Sequence, residues 1–163
     1  MKAFSVHKPE IELVVFDCDG VLIDSEIISA KVLIKQLETL GMRIEFDYVQ
    51  KHFLGRSFPW VVSEVANRFD ITLPVDFETQ HHCNLLAAFE TDLRSMEGVE
   101  PVLSDLGARA CVATSSSPSR VERSLELTGL AEQFAGRVFT ASEVDNGKPA
   151  PDLFMHAARS MGV

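Results

Sequence analysis

Val14-Val15-Phe16-Asp17-Cys18-Asp19-Gly20-Val21-Leu22-Ile23-Asp24 is an apolar run that carries two carboxylates, Asp17 and Asp19, into a glycine turn. The apolar run begins just upstream: Ile11 to Phe16 is rich in β-branched residues and nearly continuously hydrophobic, which predicts a strand covered on both faces and central in its sheet. Side chains alternate along a strand, so Asp17 and Asp19 fall on one side and Cys18 on the other. Two acids this close cannot both ionise freely unless a cation sits between them or one keeps its proton. Either state is useful for phosphoryl transfer, because it sets a nucleophilic carboxylate beside a general acid and base. Gly20 permits the tight backbone that a ligand oxygen would approach.

Two more strands are expected further along. Ala110–Thr114 runs into Ser115-Ser116-Ser117-Pro118, and Arg137–Thr140 runs into Ala141-Ser142-Glu143, each with helical signals behind it. Strand, turn and helix in repetition, joined by right-handed crossovers, predict a parallel sheet with functional groups at the carboxyl ends of the strands. Between the first and second strands lies a stretch, residues 25–94, that reads as helical throughout and is too long for a simple crossover. Ile27, Ile28, Val32, Leu33, Leu37 and Leu40 recur at helical spacing and Gly41 supplies a stop. Further helices are expected over Tyr48–Leu54, Pro59–Phe69 and Asp76–Leu93. The division that follows is an α/β core of residues 1–24 and 95–163 and a separate helical unit of residues 25–94.

Composition narrows the classes. The 163 residues are 46% hydrophobic, enough for one core and a small satellite. A net charge of −9 without a run of Lys or Arg argues against nucleic acid as a partner. No apolar stretch reaches the roughly 20 residues that span a bilayer, and Met1–Glu10 is too polar for a signal peptide, so no membrane partner is expected. Cys18, Cys83 and Cys111 are odd in number and widely spaced, which fits reduced, buried thiols in a cytoplasmic setting.

Other residues complete the candidate site. Ser115, Ser116 and Ser117 cap a helix start, where hydroxyls and backbone N–H groups also make a phosphate cradle. Lys148, within Gly147-Lys148-Pro149-Ala150-Pro151-Asp152, sits in a backbone stiffened by two prolines, which suits an ammonium group aimed at a phosphate. Asp152 reads as a helix-start carboxylate. His81, His82 and Cys83 are adjacent on a helix and cannot converge on one metal ion, so they read as a solvated face. Trp60 reads as packing within a helical layer.

In this order the motifs resemble the haloacid dehalogenase superfamily of phosphotransferases, in particular its helical-cap branch, over nearly the whole chain. The resemblance implies a Rossmann-like parallel core with an inserted α-helical cap. It implies that Asp17 attacks phosphorus to give an aspartyl phosphate, that Asp19 protonates the leaving alcohol and later activates water, and that Ser115, with Ser116 beside it, holds phosphate oxygens. Lys148 matches the lysine of the third motif. Magnesium is the implied cofactor, with Asp17 and the Asp19 carbonyl as its protein ligands. Leu54-Gly55-Arg56-Ser57 resembles the cap loop facing the active site, which makes Arg56 a candidate substrate contact alongside Gly20, and Glu26 stands close enough in sequence to reach the cleft. Retention of Asp19 favours phosphate chemistry over dehalogenation.

The sequence stops at Val163, before the family's fourth, acidic motif, so a fragment or a deletion is expected. The expected activity is hydrolysis of a small phosphorylated metabolite, a sugar phosphate, in the cytoplasm. A phosphosugar mutase would use the same residues, and a non-catalytic phosphate-binding protein would need no fourth motif.

Overall fold

The computed structural model describes residues 11–53, 56, 58–106 and 109–163. Three strands, β1 (Leu13–Phe16), β2 (Arg109–Thr114) and β3 (Val138–Thr140), form a parallel sheet in the order β1-β2-β3. The register pairs Phe16 with Val112 and Thr114 with Thr140, which brings the carboxyl ends of the strands to one rim. Helices α1 (Glu26–Thr39), α2 (Phe46–His52), α3 (Phe58–Phe69) and α4 (Phe77–Asp92) lie between β1 and β2 in sequence, followed by α5 (Val99–Asp105). Helix α6 (Pro118–Leu127) links β2 to β3, and α7 (Asp152–Ser160) follows β3.

Alternation along β2 builds the layers. Cys111 and Ala113 meet Leu153 and Ala157 of α7 on one face. Ala110 and Val112 face the opposite way, into a cluster with Val121 and Leu125 of α6 and with Phe134. Burying a side chain as large as Phe134 stabilises the fold by about 2–3 kcal/mol. β2 is buried from Ala110 to Thr114, whereas every residue of β1 is only half-buried. The expectation that β1 is central is therefore corrected: among the described residues β2 is central, and β1 has β2 as its one strand neighbour. Continuous hydrophobicity reports two covered faces, and β1 has both, since Leu13 and Val15 pack on the α7 side and Phe16 on the α6 side.

The helices from α1 to α4 have a cluster of their own, in which Leu33, Leu37, Val49, Val61, Val65 and Phe77 are buried together. Helix α1 stops where Gly41 takes φ +78°, a conformation that costs glycine little. α2 begins and ends two residues before the expected Tyr48–Leu54, α3 starts at Phe58 so that Pro59 lies in its first turn, and Asp76 and Leu93 flank α4 as caps. The two ends of this helical stretch are tied together: the Asp24 N–H donates to the Arg94 carbonyl at 3.0 Å, and Ile23 pairs antiparallel with Ser95. Among the described residues no helix is long and apolar enough to cross a membrane.

Candidate active site

The turn after β1 is wound around a single acceptor. The N–H groups of Val21, Leu22 and Ile23 all donate to the Cys18 carbonyl, and the Gly20 N–H returns to the Ile23 carbonyl at 2.9 Å. Gly20 takes φ +72°, and a Cβ there would lie 3.0 Å from Cδ of Glu26. What approaches Gly20 is thus the Glu26 side chain from the first turn of α1.

This winding turns Asp17 and Asp19 outward and Cys18 inward. Cys18 is buried in the core, where burial, reinforced by Asp19 and Asp17, pushes its thiol up to about 12. It stays protonated and is no nucleophile. Asp17 has one oxygen engaged: Oδ1 accepts from the Cys18 N–H at 2.8 Å and pairs with Nζ of Lys148 at 2.9 Å. Lys148 comes from the loop after β3, and its ammonium also lies 5.3 Å from the ring centre of Phe154 on α7. Asp17 Oδ2 has no partner among the described residues, and the side chain is 46% exposed.

Asp19 is held quite differently. Its Oδ1 accepts from Ser25 Oγ at 2.6 Å and from Arg120 Nη2 at 2.7 Å, and its Oδ2 accepts from Ser116 Oγ at 2.6 Å. Three segments remote in sequence thereby converge on one carboxylate: the turn before α1, the end of β2, and α6. Ser115 is exposed and makes no side-chain hydrogen bond among the described residues. Ser116 is committed, since its hydroxyl serves Asp19 and its N–H donates to Thr114 Oγ1 at 3.1 Å. The cradle expected at Ser115 to Ser117 therefore has one of its N–H groups occupied.

Two oxygens suit a hard cation here. The Asp17 carboxylate is exposed, and the Asp19 carbonyl takes no part in the backbone bonds that close the turn. Among the described residues no group of three or more Asp, Glu, His or Cys side chains converges for a metal. A pair of oxygens fits magnesium, which keeps several waters and takes further oxygens from substrate phosphate.

The remaining candidates have partners of their own. Arg56 is exposed, with its guanidinium 5.3 Å from the ring centre of Trp60, and Trp60 itself sits edge-on to Phe53. Leu54, Gly55 and Ser57 of that loop motif, like Met1–Glu10, lie outside the described residues. Asp152 opens α7, as a helix-start carboxylate should. His81 corrects the expectation of a solvated face: it is buried and stacked on Phe58 at 4.1 Å between ring centres, while His82 and Cys83 are exposed. Cys83 likewise departs from the expected burial; all three thiols are free.

Residues 11–163 match the family model for haloacid dehalogenase-like hydrolases. The chain belongs to this family. The 6-phosphogluconate phosphatase of Escherichia coli (strain K12) is 28% identical over 154 residues, which is 94% of this chain and 70% of that enzyme. A conserved haloacid dehalogenase-like protein of Agrobacterium tumefaciens superposes with a TM-score of 0.86 at 33% identity, over 94% of this chain and 70% of that one. A haloacid dehalogenase family hydrolase of Deinococcus radiodurans, crystallised with bound phosphate and sodium, gives a TM-score of 0.76 at 29% identity, over 93% and 67% of the two chains. For a hydrolase of this family, the site contains three polar residues that the sequence reading did not single out: Ser25, Thr114 and Arg120. Only Ser25, which closes the Gly20–Ser25 run behind the two acids, had a signal in its position; the other two depend on how the turn and α6 fold back.

Proposed function

We propose that the chain is a phosphatase that hydrolyses a small phosphorylated metabolite, a sugar phosphate, through an aspartyl phosphate at Asp17. The observation that carries this reading is the unequal engagement of the Asp17 carboxylate. Lys148 and the Cys18 N–H fix Oδ1, which leaves Oδ2 free to attack. Asp19 must enter the step protonated: attack forms an Asp17 Oδ2–phosphorus bond and breaks the bond from phosphorus to the substrate oxygen, which takes the carboxyl proton of Asp19 and leaves it ionised. Water then attacks phosphorus, gives a proton back to Asp19, and releases inorganic phosphate and free Asp17. Throughout, the Lys148 ammonium offsets negative charge building on the phosphoryl oxygens, and the Ser115 hydroxyl is available to hold one of them.

The family and the donor set support magnesium as cofactor. Held by the Asp17 carboxylate and the Asp19 carbonyl, it would neutralise phosphate charge. The helices from α1 to α4, tied at their ends to the core, are proposed to serve as a cap over the site that selects substrate, with Arg56 as a candidate contact. The net charge of −9 favours a compact anion held locally over a nucleic acid polyanion, and three free thiols accord with a cytoplasmic setting. A sugar phosphate is also the substrate named for the Escherichia coli relative.

The test is phosphate release from a panel of phosphorylated sugars, sugar acids, nucleosides and short acids, with magnesium and with excess chelator. Turnover of sugar or sugar-acid phosphates that chelation abolishes is the expected result. No phosphate release from any member, or release unaffected by chelation, would overturn the reading.

A further inference from the structure

Resting on the phosphatase reading, we propose that Arg120 is a positioning residue that aims Asp19 for proton transfer and ties it to Phe89 of α4. The geometry is specific. Arg120 leaves the first turn of α6, reaches back 101 residues in sequence to Asp19 Oδ1 at 2.7 Å, and is only 23% exposed. On its other side the guanidinium lies 5.5 Å from the ring centre of Phe89, a buried residue of α4. Its Nε is buried without a hydrogen-bond partner among the described residues. A guanidinium between an aromatic face and a carboxylate has little rotational freedom, because it carries its charge on a planar fork.

A surface ion pair would contribute little here, and Arg120 is no surface pair. α6 reaches α4 at the exposed neighbouring position as well, where Arg123 Nε donates to Glu90 Oε1 at 2.8 Å. Arg123 therefore holds the two helices together at the rim. Arg120, one turn earlier on α6 and next to Phe89, turns inward from the same seam and ends on Asp19. With Arg120 on Oδ1 and Ser116 on Oδ2, the plane of the carboxylate is set from two sides, and α4 supports one of them.

The proton that Asp19 delivers matters most for an alkoxide leaving group and little for a nitrophenolate, which departs without protonation. The ratio of kcat/KM follows this difference, because it reports steps only up to departure of the first product, before water attacks the aspartyl phosphate. The experiment compares Arg120→Ala and Arg120→Lys with the unaltered protein on an alkyl phosphate and on p-nitrophenyl phosphate, at saturating magnesium. For Arg120→Ala we expect kcat/KM to fall by about 10- to 100-fold on the alkyl phosphate and by less than about threefold on p-nitrophenyl phosphate. Arg120→Lys keeps a charge but loses the fork, and should recover part of the alkyl phosphate activity.

Equal losses on both substrates, or a rise in KM alone at unchanged kcat, would overturn the positioning role in favour of a structural or substrate-binding one. Undiminished alkyl phosphate turnover in Arg120→Ala would overturn it too. Absence of turnover in the unaltered protein would instead sink the phosphatase reading, and this inference with it.

Discussion

Asp17 and Asp19 stand two residues apart on one turn, yet their surroundings are opposite. Asp17 is half open to solvent and leans on one cation, Lys148, with its second oxygen free among the described residues. Asp19 is less exposed and is shared among two hydroxyls and a guanidinium. Under the proposed mechanism this difference is a division of labour written into hydrogen bonding. A nucleophile needs an accessible lone pair, whereas a proton carrier needs a fixed direction. Strand alternation sets both acids on one side, and the winding of the turn around the Cys18 carbonyl separates their neighbours.

The largest effect should come from the side with a single support. Lys148→Met leaves Asp17 with only the Cys18 N–H, and kcat should fall by about 100- to 1000-fold with the thermal midpoint little changed. Ser25→Ala removes one of three donors from Asp19, and the loss should stay below about tenfold, because Arg120 and Ser116 remain. Steady-state kinetics on the best substrate of the panel measures both. Equal losses in the two variants would break the contrast between a singly and a multiply supported acid.

A smaller effect lies behind the Asp19 network. Burial, with the Arg120 and His82 charges adding to it, pushes His81 down from 6.5 to about 4. As pH falls from 6.5 towards 4, the unfolded chain takes up a proton at this position that the folded chain refuses, so stability is full above the upper value and declines through the window. Between about pH 7.5 and pH 5 the loss should be about 2 kcal/mol. His81→Leu should flatten that part of the profile, read as the urea midpoint at the two pH values. An unchanged slope would show that His81 is protonated in place.

How much of this was legible beforehand depended on the range of the interaction. Asp17, Asp19 and Lys148 are short motifs whose spacing and stiff flanks announce their chemistry, and the ion pair between Lys148 and Asp17 joins two of them. The parallel sheet and the helical stretch followed from hydrophobic periodicity. The position of β1 did not, because an apolar strand records what covers its faces and not how many strands flank it. The expectation fails at His81 for a different reason: adjacency to His82 and Cys83 masks a longer pattern. Phe77, His81, Leu85 and Phe89 stand at intervals of four on α4 and are all buried, a stripe that marks His81 as core. Arg120 had no local signal at all. Its role arises only when α6 packs over a turn 101 residues away.

The proposed mechanism requires phosphorus bonded to Asp17 during turnover. Rapid quenching of a reaction with the best substrate, reduction with borohydride, and mass spectrometry of the digested protein would locate the acyl phosphate, because reduction converts the phosphorylated aspartate to homoserine. The expected result is homoserine at position 17 in samples quenched during turnover and aspartate there without substrate or in Asp17→Asn. Steady release of phosphate with Asp17 never converted, or with conversion at Asp19 instead, would contradict it.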